Sequence, residues 1–309
     1  MKNSVESREE DANVSSSFSR LPDEIILQIF NKLIDLKTLC FCYLVSKHLS
    51  SILLQIEAIS FTAPLLNPRN SDKNTVSDVS PSQPFLSAHT FLSKFKEVKF
   101  LWIELPSSSH RDIDDRLLFR WKAKFCSRMK SFIFLSPHSI FHKDGFCING
   151  NGEEEEEEDN ELRNDMFNQK LVISFQCFRD AMVWHSILLY LVKDLPKLEK
   201  VSITESGRRG KLSLSGEKLI EVKEWVQHSA SEAVMTHLEL PTKISNGYIP
   251  VLKLPVSGYV MKGIFFCVMK MKDLEGGNDG VMNNEDASAD KEEAAYTEAV
   301  MEILEKHTT

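Results

Sequence analysis

An apolar-x-x-apolar-x-apolar triplet recurs along the chain, and each copy dictates a short strand with one buried side. The copies are Phe95, Val98, Phe100; Met129, Phe132, Phe134; Leu198, Val201, Ile203; and Met235, Leu238, Leu240. They begin 34, 69 and 37 residues apart, with Leu171 and Ile173 as a degenerate copy inside the long interval, so the period is about 35. Apolar residues at helical spacing precede three of them. Ile113, Leu117, Trp121 and Phe125 share a face before the second triplet, and Trp184, Ile187, Leu188, Leu191 and Val192 do so before the third. Leu219, Val222 and Val226 come before the fourth, with Ser215 placed to cap their helix. A strand-plus-helix unit cannot bury its own apolar side and stacks on its neighbours, which predicts a curved parallel sheet backed by helices.

This pattern resembles a leucine-rich-repeat solenoid. It departs in unit length, since such repeats usually have about 20 to 29 residues. It departs also just after the triplet, where Trp102, Ser136, Glu205 and Thr242 stand in place of the usual Asn or Cys. A mixed α/β domain with simply alternating helix and strand is the competing reading. In the repeat reading, the residue between the last two apolar positions points away from the helices. Lys99, Ile133, Ser202 and Glu239 would then form a row on the concave side and hold a partner. Tyr259 to Met271 is apolar enough to be a final strand or a cover for that face.

Three interruptions divide the chain. Residues 1–17 are polar and read as a disordered tail, 61–86 as a linker or long surface loop, and 149–164 as an acidic insert without structure. The repeat-bearing domain spans 87–271, and 272–309 is an acidic tail with a helix expected over 291–306. Ala295, Val300, Ile303 and Leu304 form the sparse apolar side of that exposed helix. The net charge of −8 hides a polarity: Glu153–Glu161 holds eight acids, and the segment from Lys272 has eleven acids against three bases. The folded body beyond residue 54 is therefore basic, at +9, but its lysines are scattered, and nucleic acid is not an expected partner. The longest apolar stretch, Ile187 to Val192, is far shorter than the roughly 20 residues of a membrane span, so no membrane partner is expected. Six cysteines, all but Cys40 and Cys42 widely separated and most in apolar surroundings, read as reduced thiols, in the nucleus or the cytoplasm.

The N-terminal order begins at residue 18. From Leu21 the chain reads Leu-Pro-Asp-Glu-Ile-Ile-Leu-Gln-Ile-Phe-Asn-Lys-Leu. Pro22 fits a first helical position, and Asp23 and Glu24 complement the positive end of the helix dipole. Ile25, Ile26, Ile29, Phe30 and Leu33 then repeat on one face. Thr38 can cap a second helix with Leu39, Cys42 and Val45, and Ser46 a third with Leu49, Ile52 and Leu53. Three short helices cannot enclose a core by themselves, so a helical partner sharing their apolar surface is expected.

Leu21-Pro22, Glu24-Ile25, Ile29-Phe30, Leu33, Leu39, Leu44-Val45-Ser46-Lys47 and Leu49 resemble the F-box without a gap, placing it at 18–60. Leu49 stands where that family usually has an aromatic residue. The rest of the chain is similar to plant F-box proteins of the auxin-upregulated group, chiefly through Lys170–Glu205 and Val256–Lys270. The resemblance implies a non-catalytic substrate receptor of an SCF-type ubiquitin ligase. Leu21, Pro22, Ile25, Ile29, Leu33, Leu39 and Val45 would bind a Skp-type adaptor or hold the helices that do. Cullin and RING subunits would join through the adaptor, and a protein substrate through the later domain. A scaffold or regulator working outside a cullin ligase is the alternative.

No set of residues points to an enzyme or a cofactor. Cys40 and Cys42 lie on different helix faces, and no Glu or Cys stands at ligand spacing beside His138 and His142. Arg208-Arg209 in a Gly-flanked turn fits an anion, though a solvated turn explains it better. Phosphate-cradling loops and nucleophile elbows are missing from the sequence.

Overall fold

The computed structural model describes residues 21–63, 83–105, 117–125, 128–143, 147–148, 160–205, 207, 209–229, 240–272 and 291–307. The N-terminal tail, most of the 61–86 linker, the glutamate block, Ile113, Arg208, Met235, Leu238 and Glu239 lie outside the described residues. The fold is α/β: three N-terminal helices followed by a strand-rich domain.

Helix α1 (Asp23–Phe30) starts one residue later than its composition suggests, with Pro22 as the capping residue and its carbonyl accepting from Ile25 and Ile26. Asp35 rather than Thr38 caps α2 (Leu36–Val45): its carboxylate accepts from the Thr38 N–H at 2.9 Å and the Thr38 hydroxyl at 2.8 Å. Ser46 caps α3 (Lys47–Leu53) through the Leu49 N–H, as its position predicts. No linker separates these helices from the next domain, because strand β1 (Ala58–Thr62) follows α3 directly. Its Ser60 donates to the Ile34 carbonyl at 2.6 Å, and the Glu57 N–H donates to the Asn31 side chain at 3.1 Å.

The repeat is present, with the Leu198, Val201, Ile203 triplet in the expected phase and the copy at β2 read from Val98, Leu101 and Ile103 rather than from Phe95. Leu53, Ile56, Ile59, Phe61, Ala63; Phe95, Val98, Leu101, Ile103, Leu105; and Leu195, Leu198, Val201, Ile203, Glu205 share one spacing. Each set runs from a helix end into a strand: β1, then β2 (Phe100–Leu105) after α4 (Gln83–Leu92), then β7 (Lys200–Glu205) after α5 (Asn160–Asp194). The three strands lie parallel and in register, Ile59 beside Leu101 and Leu101 beside Val201. Strand β8 (Lys211–Ser215) closes the sheet antiparallel to β7, and α6 (Gly216–Ser229) returns along its inner side. The inward residues of all four strands join the helices, F-box helices included, in one continuous core.

The interval between the second and third copies is long because a second sheet is inserted there. The Met129 triplet belongs to it, as β4 (Met129–Ser136), and is no solenoid repeat. Trp121 and Phe125 lie on strand β3 (Arg120–Phe125), not on a helix, and Leu171 and Ile173 lie on helix α5, not on a strand. The antiparallel sheet runs β3-β4-β10-β5-β6, with β5 Ser139–His142, β6 Cys147–Ile148 and β10 Tyr259–Lys270, and β9 (Lys243–Leu254) pairs the other edge of β10. Phe132 to Leu135 are all buried, so β4 is covered on both faces and period-2 alternation is lost. Helix α5 covers one face with Ile173, Cys177 and Phe178. The C-terminal helix α7 (Lys291–His307) covers the other. It is not the exposed helix its composition suggests: Ala295, Tyr296, Ala299, Val300 and Ile303 are buried against Ile133, Leu135, Ile264 and Phe266.

The two sheets meet at Gly210, whose neighbour Arg209 accepts the Trp121 N–H at 2.9 Å. A Cβ on Gly210 would lie 2.1 Å from the Trp121 ring, so only glycine permits this approach. The acidic insert also ends earlier than expected, since α5 is already helical at Asn160.

Candidate adaptor and substrate interfaces

Helix α2 reads Leu-Lys-Thr-Leu-Cys-Phe-Cys-Tyr-Leu-Val, apolar around most of its circumference. Only one side can enter the chain's own core, and Leu36 and Leu39 do so. Phe41, Leu44 and Val45 are left 62%, 74% and 70% exposed. Ile25 on α1, with Leu33 and Ile34 in the turn after it, is also exposed. An apolar surface of this kind marks a protein contact.

Of the residues expected at the adaptor, Pro22, Ile25, Leu33 and Val45 are exposed, and Leu21 and Ile29 are half-buried. Leu39 is fully buried and serves only to hold α2. Ile34, Phe41 and Leu44 are exposed beside them, the last two within the unbroken apolar run from Leu39 to Val45. The face is held rigidly to the body, since Tyr43 of α2 packs edge-on against Phe91 of α4 (5.4 Å) and lies under the Lys94 ammonium (5.0 Å).

The expected concave row does not assemble. Lys99 lies at the foot of β2, its ammonium 2.6 Å from Glu57, and that hydrogen bond raises its pKa. Ser202 lies on the outer side of β7 but is only 7% exposed, and its neighbour on β2 is Trp102. Ile133 is buried in the other sheet beneath α7, and Glu239 lies outside the described residues. The row that forms is Ser60, Trp102, Ser202 and Ser213. Trp102 is its one large member, exposed and stacked on Phe100 at 6.4 Å. The alternation of Leu101, Ile103 and Leu105 would have shown Trp102 to point outward.

Charged groups inside the body serve the fold. Glu205 occupies the inward position that Ala63 and Leu105 fill in the other two copies, and burial pushes its carboxyl up to about 7, against the pull of the nearby Arg209. The Arg209 guanidinium lies over Phe119 at 4.6 Å. Arg120 and Lys122 on β3 meet Glu292 and Glu293 on α7 at 3.1 and 3.0 Å, which fastens the C-terminal helix to the sheet. Burial lowers the Lys122 pKa despite that partner. Cys177 and Cys267 are buried free thiols, and Cys40 and Cys42 half-buried ones. Among the described residues no cluster of His, Cys, Asp and Glu fits a metal ion, and no helix is long and apolar enough to cross a membrane.

The N-terminal helices thus form a unit with an exposed apolar face whose other sides are built into the core of a strand-rich domain. Residues 18–57 match the F-box-like family. The chain is 24% identical to F-box protein AUF2 of Arabidopsis thaliana, over 93% of this chain and 95% of that protein. It is 24% identical to F-box protein AUF1 of the same plant, over 94% and 96%. No solved structure matches. The chain thus carries an F-box-like domain and is similar over nearly its whole length to plant F-box proteins. F-box domains generally bind Skp-type adaptors, and F-box proteins generally serve SCF complexes as non-catalytic substrate adaptors.

Proposed function

We propose that this chain is the substrate-recognition subunit of an SCF-type ubiquitin ligase. The exposed apolar face of α1 and α2 binds the Skp-type adaptor, which brings cullin and RING subunits, and the strand-rich body binds a protein substrate. The observation that carries this reading is that apolar face on helices whose other sides are built into the body's core. Transfer of ubiquitin then needs no chemistry from this chain. It needs a substrate held at a fixed place relative to the conjugating enzyme, so that an encounter in solution becomes an intramolecular one. Continuity of α3 with β1, and the packing of α4 on α2, support that rigidity. The place of work is the nucleus or the cytoplasm, where the adaptor and reduced thiols occur together.

Reconstitution tests the reading. Purified chain, adaptor, cullin and RING protein should co-elute as one complex. Co-elution with the adaptor while cullin stays apart would favour the alternative, a regulator acting outside the ligase.

A further inference from the structure

Strand β9 forms an edge of the antiparallel sheet, and among the described residues it pairs with β10 alone. Hydrogen bonds on β10 determine which of its backbone groups are free. The Lys270 carbonyl turns toward β9, accepting from Thr242 at 2.9 Å, whereas Met271 donates to Lys130 on the opposite side. Successive residues of a strand alternate in direction. Residues 264, 266, 268 and 270 therefore face β9, where their partners are Ile249, Gly247, Ser245 and Lys243. The N–H and C=O groups of Ile244, Asn246 and Tyr248 point out at the edge. So does the nitrogen of Pro250, which accounts for a proline inside a twelve-residue strand without loss of a ladder bond.

The edge is charged and partly apolar. From Thr242 to Lys272 the hairpin holds Lys243, Lys253, Lys262, Lys270 and Lys272 and no acid. Among the described residues none of the five forms an ion pair. Lys243 and Lys270 are direct cross-strand partners, an unfavourable like-charge pair that an anion would relieve. Four of the five acids of the adjacent α7 are engaged elsewhere: Glu292 and Glu293 with β3, Glu298 with the Val256 and Ser257 N–H groups, and Glu302 with Lys306. On the other side of the edge Ile244 and Tyr248 are 44% and 50% exposed.

We propose that an extended acidic segment of the substrate docks here as an added strand. Its backbone completes the edge at Ile244, Asn246 and Tyr248, its acids meet Lys243 and Lys270, and its alternate apolar residues lie against Ile244 and Tyr248. This rests on the chain being a substrate receptor and names the kind of segment it receives.

The test uses the full chain bound to its adaptor and a dye-labelled peptide, acetyl-Glu-Val-Asp-Ile-Glu-Val-Asp-amide, followed by fluorescence polarisation. The peptide should bind, more weakly at high salt. A version with lysine in place of each acid should bind at least about tenfold more weakly, as should one N-methylated at alternate residues, which keeps every side chain but cannot extend a sheet. Lys243→Glu with Lys270→Glu should reverse the preference between the acidic and basic peptides. Asn246→Pro should abolish binding, since it removes an outward N–H and no ladder bond. Adaptor binding, measured in parallel, should be unchanged in every variant. Failure of the acidic peptide to bind while the adaptor does would overturn the docking site and leave the receptor reading standing. Equal binding of the N-methylated peptide would overturn strand addition, leaving only a basic surface.

Discussion

Truncating Phe41, Leu44 and Val45 together to alanine separates the adaptor face from the fold. These side chains are 62%, 74% and 70% exposed, so each still has most of its apolar surface to lose to a partner. Complete burial of such a residue is worth roughly 1.5 to 3 kcal/mol, and scaling by the exposed fractions leaves about 1 to 2 kcal/mol each. Allowing for incomplete cover in the complex, the triple variant should lose about 3 kcal/mol or more, at least roughly a hundredfold in Kd for the adaptor. Its own stability should change little, because surface truncations away from special contacts usually stay within about 0.5 kcal/mol. Calorimetric titration of adaptor into wild type and variant gives the affinity, and urea unfolding of each gives the stability. A folded triple variant that binds the adaptor within threefold of wild type, a factor of about 0.7 kcal/mol, would refute the assignment of this face.

Leu39→Ala should do the reverse, costing about 2 to 5 kcal/mol in urea unfolding and altering adaptor affinity only through that loss, because Leu39 is fully buried. The Glu205 carboxyl has its pKa raised to about 7 by burial, from an ordinary 4.5, so the folded state binds its proton more tightly than the unfolded chain. Stability tied to this group is present below about pH 4.5 and lost as pH rises through about 7, by at most about 3 kcal/mol. Glu205→Gln should therefore stabilise the chain at pH 8 and hardly at pH 4.5, and equal effects on the unfolding midpoint at both would contradict the account. Ile303→Ala should cost about 2 to 5 kcal/mol, since α7 is part of the second core; an unchanged melting temperature would mean that the helix is dispensable. Gly210→Ala should lower the melting temperature by forcing a methyl group into the Trp121 ring, at a cost of about 1 to 3 kcal/mol.

The F-box helices were legible because each signal was local: Pro22 with Asp23 and Glu24, the apolar face of α1, and Ser46 as a cap. The α/β class and a parallel strand repeat were legible for the same reason. The phase of its copy at β2 was not, because Phe100 and Leu101 are both apolar and only strand pairing decides which faces inward. The inserted antiparallel sheet was hidden by β4, whose continuous apolar run under two helices looks like a further repeat. The docked C-terminal helix was masked by its acids, three of which are used in tertiary contacts: Glu292 and Glu293 to Arg120 and Lys122, and Glu298 to a hairpin turn. Trp102 shows as an outward residue only when the copy at β2 is read as Val98, Leu101 and Ile103. Glu205, an acid at an inward position of a repeat, could have been noticed once the phase was right.

The central claim is that this chain links a substrate to a cullin ligase through its F-box face. Affinity purification from cells with the proteasome inhibited, comparing wild type with the Phe41, Leu44, Val45 triple variant by quantitative mass spectrometry, tests it most directly. The account predicts that adaptor, cullin and RING subunits accompany wild type and are lost together from the variant, while proteins held by the strand-rich body stay with both. Cullin that is absent from wild type, or that persists with the variant, would contradict it.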